Sequence, residues 1–243
     1  MDDVERFAAN GALIAGGACA ILLQVADPVV GAAVARHSDF AHRPLDRLHN
    51  TLTFVYAVVL GTPEEAARVA GYVDRAHRGI PGATSPEHQL WVAATLYATA
   101  VQVHERLYGP VALSLREELL ARYAPLATTL QVPVTEWPSS VADFDEYWVD
   151  AHARLEVTDE ARAVAHDLFH PVTIPWWGRL VLPIVSALTA SILTPSLRDA
   201  FGLPAHPRRS AAAWNVARVV ARIAPRRVRE WPSRHYLRRI RSR

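Results

Sequence analysis

Arg47, Asn50 and Thr51 share one stripe of a predicted helix with Phe54 and Val58, within the stretch RPLDRLHNTLTFVYAVVLGT (43–62). The second half of that stretch is apolar on nearly every side, as in a helix buried in a core. A guanidinium turned toward a core is costly unless an anionic or polar group meets it. Within the chain, Asp27 or Asp74 would serve, with Thr51 bonding back to the carbonyl of Arg47. A second chemical group follows on the next predicted helix, where Val69, Ala70, Val73 and His77 share a face and Gly79 stands just beyond as a stop. Spacing alone reads His77 as a last-turn histidine, favoured by the helix dipole and bonded to a free carbonyl.

The remaining histidines sort by geometry. His88 and His104 lie sixteen residues apart on one predicted helix, about 160° around its axis, so they do not ligate one metal together. His104 joins Tyr97, Val101 and Tyr108 in what reads as a packed amphipathic seam. No HExxH and no His/Glu pair at metal spacing occurs, which argues against a zinc hydrolase. The absence of GxGxxG, P-loop and GxSxG patterns leaves dinucleotide, nucleotide and esterase readings without support.

The elements that must position these residues follow from composition and punctuation. With 243 residues, half of them apolar, the chain has enough material for a sizeable core. Its single cysteine, Cys19, rules out an intrachain disulfide and fits a reducing compartment. All 26 basic residues are Arg, and their distribution is lopsided. Residues 1–207 carry 14 Arg against 23 acidic residues, whereas 208–243 carry 12 Arg against Glu230 alone. No basic region precedes the apolar stretch 11–25, and acidic Asp2, Asp3 and Glu5 stand there instead, so a secretory signal is not expected. The apolar runs 11–34 and 180–193 are interrupted by Asp27-Pro28 and Pro183, and both read as core helices rather than membrane spans.

Asp27-Pro28, Thr62-Pro63, Ser85-Pro86 and Thr194-Pro195 each place a capping side chain before a proline at the first helical position. Ser114 to Glu117 and Ser140 to Asp143 read as capping boxes, and Thr158 as a further start. Between these starts apolar residues recur at three and four, never in sustained alternation. The prediction is an all-α fold: a single compact domain of about ten helices over 1–207, with 44–61, 63–78, 86–107, 115–129 and 176–193 the clearest, followed by a basic helical end over 208–243.

The residues quoted carry a family resemblance. LLQ-x-x-DP (22–28), HSDF (37–40), RPLDRLHNT (43–51), VVLGTPEEAARVA (58–70), AHRGIPG (76–82), PEHQLWVAATL (86–96) and TPSLRDAFGLP (194–204) together resemble the catalytic domain shared by MpaB-type oxygenases and latex-clearing rubber oxygenases. The resemblance implies an all-helical enzyme that binds a non-covalent haem b through one axial histidine and acts on isoprenoid double bonds. Arg47 and Thr51 look like the family's Arg-x-x-x-Thr pair beside the haem, and His77 looks like the axial ligand to iron. Two departures accompany the match: Asn50 stands where the rubber oxygenases have a lysine, and Ala93 and Ala94 stand where many relatives have a histidine.

A haem without covalent links needs an apolar slot, one neutral imidazole, and cationic or hydroxyl groups for its propionates or for bound oxygen. With the resemblance, Arg47, Asn50 and Thr51 become candidates for those groups, because a guanidinium pairs bidentately with a carboxylate. The expected activity is a haem b-dependent oxygenase that joins molecular oxygen to an apolar, terpenoid-like small molecule, with Arg47 and Thr51 catalytic and His77 on the metal. The alternative is a catalytically degenerate helical interaction protein of the same fold. At the C-terminal end, ten Arg with Trp231, His235 and Tyr236 interleaved suit an anionic surface. No nucleic-acid-binding motif is present, so a cytoplasmic protein in peripheral contact with an anionic membrane is the expectation. On that reading a helix over 211–223 offers Trp214, Val216, Val219 and Val220 to the interface. The opposing reading packs the tail's apolar residues against the acidic body.

Overall fold

Proline opens most of the long helices, because its missing amide falls where a helix has no acceptor and its fixed φ suits the first turn. The computed structural model describes residues 2–37 and 41–242; of the HSDF stretch, all but His37 lies outside the described residues. In chain order the helices are α1 (Asp3–Ala8), α2 (Gly17–Val25), α3 (Pro28–His37), α4 (Pro44–Leu60), α5 (Pro63–His77), α6 (Pro86–Tyr108), α7 (Leu113–Tyr123) and α8 (Pro125–Thr128). They continue with α9 (Val141–Ala153), α10 (Asp159–Phe169), α11 (Trp176–Ile192), α12 (Pro195–Ala200), α13 (Pro207–Ile223), α14 (Arg226–Arg229) and α15 (Trp231–Arg241). Short 3-10 turns at Gly11–Gly16 and Val134–Glu136 complete the regular structure, and no strand occurs among the described residues. The architecture is all-α in one compact domain, as the periodicity predicts.

Several caps form as their residue types require. Asp27 accepts from the amides of Val29 and Val30 (2.9 Å each), and Thr62 and Glu65 form a reciprocal capping box. Ser140, Thr158 and Thr194 cap α9, α10 and α12. Two expected starts differ. Ser85 makes no side-chain cap bond. The Ser114–Glu117 box does not form either, because α7 begins two residues earlier, after Ala112. Glu117 instead accepts the Val141 amide on both carboxylate oxygens (3.0 Å each), so it caps a neighbouring helix. Pro125, lacking an amide, breaks the expected 115–129 helix into α7 and α8.

α6 is the axis of the core. Leu90, Ala93, Ala94, Tyr97 and Val101 are buried in one cluster with residues of α1, α4, α7, α8 and α9. The alanines let neighbouring backbones approach closely. On another side, Trp91 Nε1 donates to the Leu23 carbonyl (3.1 Å) and Gln24 donates to Thr95 Oγ1 (2.9 Å), locking α2 onto α6. Among the described residues no helix is long and apolar enough to cross a membrane, and the apolar segments on either side of Asp27-Pro28 meet at 111°.

The basic end packs on this body. Trp214 of α13 is buried, and its Nε1 donates to Ser191 Oγ of α11 (2.9 Å). That placement corrects the expectation that Trp214 faces an interface: its stripe, with Ser210 and Ala221, is the one turned inward. Val216, Val219, Val220 and Ile223 do stay exposed, by 54 to 74%. α15 lies against α4, stacking Tyr236 on Tyr56 (5.6 Å between centroids) and burying Ile240 beside Ala57 and Val69.

Candidate functional site

The chain turns tightly between Leu60 and Pro63, so α4 and α5 run antiparallel and pack along their length. That pairing sets Arg47, early in α4, beside His77, late in α5. Their proximity is electrostatic as well as spatial. Burial lowers the proton affinity of the His77 imidazole, the Arg47 charge lowers it further, and Asp74 opposes both. The ring is therefore neutral at pH 7. Its Nδ1 is buried without a hydrogen-bond partner, in contrast to the carbonyl-bonded histidine that spacing suggested. Gly79 follows with φ of +84°, a conformation that ends α5 and returns the chain toward α6.

Arg47, Asn50 and Thr51 are exposed on α4, which corrects the expectation of a guanidinium turned toward the core: the less exposed face of the first half of α4 lies elsewhere. Neighbouring atoms nonetheless desolvate Arg47 enough to lower its pKa. Because its side chain remains accessible and guanidinium stays protonated at any working pH, the direction alone carries weight. The carboxylates offered as alternative partners are engaged elsewhere. Asp27 caps α3 and its Oδ2 lies 3.2 Å from His88 Nδ1, off the line of a hydrogen bond. Asp74 accepts from Gln131 Nε2 at 2.7 Å.

That last bond belongs to a polar chain absent from the predicted set. Gln89, buried at the start of α6, donates to the Ala83 carbonyl (3.0 Å) and accepts the Gln131 amide (2.9 Å). Gln131 reaches on to Asp74, three residues before His77, so the loop after α8 braces the last turns of α5. No motif marks Gln131; only its position after a broken helix hints at a bracing role.

The N-terminal ends of α4 and α11 are tied together. The amide of Val172 donates to the Ala41 carbonyl (2.8 Å), and Thr173 Oγ1 donates to the His42 carbonyl. Beyond this junction both helices leave large apolar side chains exposed: Leu45 on α4, and Trp176, Leu180 and Ile184 on α11. Two cavities, of about 320 and 290 Å³, lie elsewhere, one at His104 and the other at His152. Ala93 and Ala94 are 1 and 0% exposed within the α6 core, so that helix turns no ligand toward α4 at these positions. Among the described residues no three His, Cys, Asp or Glu side chains cluster to hold a metal ion by themselves. A single-histidine attachment to a prosthetic group is compatible with that arrangement: one neutral imidazole, a nearby guanidinium, amide and hydroxyl donors, and uncovered apolar surface.

The family model described as ER-bound oxygenase mpaB/B'/rubber oxygenase, catalytic domain, matches residues 4–223. Uncharacterized proteins of Mycobacterium bovis and Mycobacterium tuberculosis are each 31% identical over 224 residues, covering 85% of this chain and 88% of their own length. No solved structure matches.

Proposed function

The chain belongs to the ER-bound oxygenase mpaB/rubber oxygenase catalytic-domain family, and from that premise we propose that it is a haem b-dependent oxygenase for an apolar, terpenoid-like small molecule. The observation that carries the reading is the pairing of a neutral His77, with its Nδ1 unpartnered, and the Arg47 guanidinium across α4 and α5. A bound haem would supply the redox chemistry that activates molecular oxygen, which no side chain here supplies.

This chain's residues do the rest. His77 stays deprotonated, as an iron ligand must. Arg47 offers a fixed cation to a haem propionate, and Asn50 and Thr51 add amide and hydroxyl donors on the same exposed stripe. The Gln89–Gln131–Asp74 chain holds the end of α5 still. The uncovered apolar side chains of α4 and α11 gain burial from a flat apolar cofactor and its substrate, at about 25 cal/mol per Å².

Titrating the purified protein with haemin tests the proposal. Uptake with a Soret band is expected, and His77→Ala should abolish or weaken it while His88→Ala and His104→Ala retain it. A protein that takes up no haemin would instead be the catalytically silent helical interaction protein.

Peripheral contact with an anionic membrane is a second part of the proposal. The supporting observation is the exposed stripe of Val216, Val219 and Ile223 on α13, flanked by exposed Arg209, Arg222 and Arg227. Apolar side chains between arginines suit the boundary of acyl chains and anionic headgroups.

A further inference from the structure

Where the two ends of the chain meet, a cavity of about 320 Å³ opens between α1, the C-terminal end of α6, α7 and the α14–α15 segment. The size is at the lower end of small-molecule sites. Its walls are mainly apolar and aromatic. The His104 ring stacks on Phe7 (4.8 Å between centroids) and packs against Tyr108 (4.9 Å), and Leu115 closes the α7 side.

Two polar atoms in this wall are buried without partners: His104 Nδ1 and Arg229 Nε. A buried polar atom left unsatisfied is costly. Neighbouring charges do not relieve Arg229. Arg6 pairs with Asp3, while Arg226 and Arg234 both pair with Glu230, leaving Arg229 as the lining cation with no ion-pair partner among the described residues. The Tyr108 hydroxyl accepts from Asn10 Nδ2 (2.9 Å) and keeps its own proton to donate. Burial holds His104 uncharged.

We propose that this cavity is a binding site for a small organic monocarboxylate, its carboxylate on Arg229 and Tyr108 and its hydrocarbon body against Phe7, His104 and Leu115. A guanidinium meets a carboxylate bidentately. Inorganic phosphate has no hydrocarbon body to set against Phe7, His104 and Leu115.

The site is separate from the one at His77. His104 lies fifteen residues along α6 from Gln89, about 22 Å at 1.5 Å per residue. It also depends on residues beyond the family match, which ends at 223. The close approach of this segment requires Gly11, where a Cβ would fall 2.6 Å from Pro232 Cγ and 3.0 Å from the Arg229 carbonyl.

The experiment is calorimetric titration of the full-length protein with octanoate, octan-1-ol and inorganic phosphate. One-to-one saturable binding of octanoate is expected, at least tenfold tighter than octanol, with phosphate weaker than both. Arg229→Gln should weaken octanoate roughly tenfold or more and leave octanol unchanged. Leu115→Trp, which fills the apolar wall, should weaken octanoate and octanol together. Equal affinity for octanoate and octanol in the native chain overturns the proposal, as does phosphate binding tighter than octanoate. So does undiminished octanoate binding in Arg229→Gln. Should that variant fail to fold, the octanoate-to-octanol ratio in the native chain and the Leu115→Trp result decide.

Discussion

The Arg47 guanidinium acts on the His77 imidazole from the opposite helix, adding to burial in lowering its proton affinity. His104 and His152 are lowered as well, both chiefly by burial. A histidine whose folded-state pKa is depressed adds no pH dependence above its unfolded value, where both states are neutral. Below about pH 6.5 the unfolded chain takes up the proton first, so stability falls as pH drops. Glu65 and Glu230 are lowered carboxylates, and their contribution is lost only at more acid pH. Arg47→Gln should raise the His77 midpoint toward the ordinary histidine value and leave His104 unmoved, read from ring-proton NMR. An unchanged His77 midpoint would assign the shift to burial alone.

Glu65 joins the α4–α5 turn to the C-terminal helix. One carboxylate oxygen accepts the Thr62 amide (2.9 Å) and the other accepts from Arg241 (2.7 Å). The Glu65 side chain is 8% exposed and that of Arg241 56%, so the two ends of this pair are unequal. Glu65→Ala removes half of the capping box and the Arg241 ion pair together, which should cost about 2 kcal/mol in urea unfolding. Arg241→Ala should cost about 1 kcal/mol or less. Equal losses would mean that the ion pair, not the cap, holds α5.

How far the sequence discloses the fold depends on whether a signal is local. Thr62, Pro63 and Glu65 announce α5 because a capping box is complete within four residues, and Gly79 announces its end. That Arg47, Asn50 and Thr51 share a stripe is equally legible, since helical periodicity decides which residues share a face, but its exposure is not, because the apolar second half of α4 suggests burial for the whole helix. Long-range partners leave no such mark. Glu117 has the spacing of a cap for its own helix and serves another, and Gln131 braces Asp74 from a loop with no pattern. α13 shows a different ambiguity: apolar residues lie on both sides of it, so periodicity alone does not tell the buried Trp214 from the exposed Val216. Only packing against Ser191 decides.

That burial also changes how membrane contact is tested. Deleting everything after Pro207 would strip Trp214 and Ile240 from the core, so loss of binding would report unfolding. Val216→Asp with Ile223→Asp alters exposed positions only. Native protein should sediment with anionic vesicles at low salt and release at high salt, since each Arg near the surface contributes about 1 kcal/mol and is screened. The double variant should lose most of that binding while keeping its helical circular dichroism. Equal sedimentation of the variant would remove α13 from the contact.

Ala94 marks a position where the α6 core leaves no room for a histidine. The residue is fully buried, with Tyr97 and Leu90 in the same cluster. Ala94→His would force an imidazole into a close-packed wall and desolvate its polar atoms. The overpacking costs about 1–3 kcal/mol and an unpaired polar group a similar amount, so a loss of roughly 3 kcal/mol is expected in chemical denaturation. With His77 as the ligand, the haemin spectrum of the folded fraction should match that of the native chain. A new six-coordinate, two-histidine spectrum in Ala94→His would show instead that the cofactor lies against α6, and the assignment to the α4–α5 face would fall.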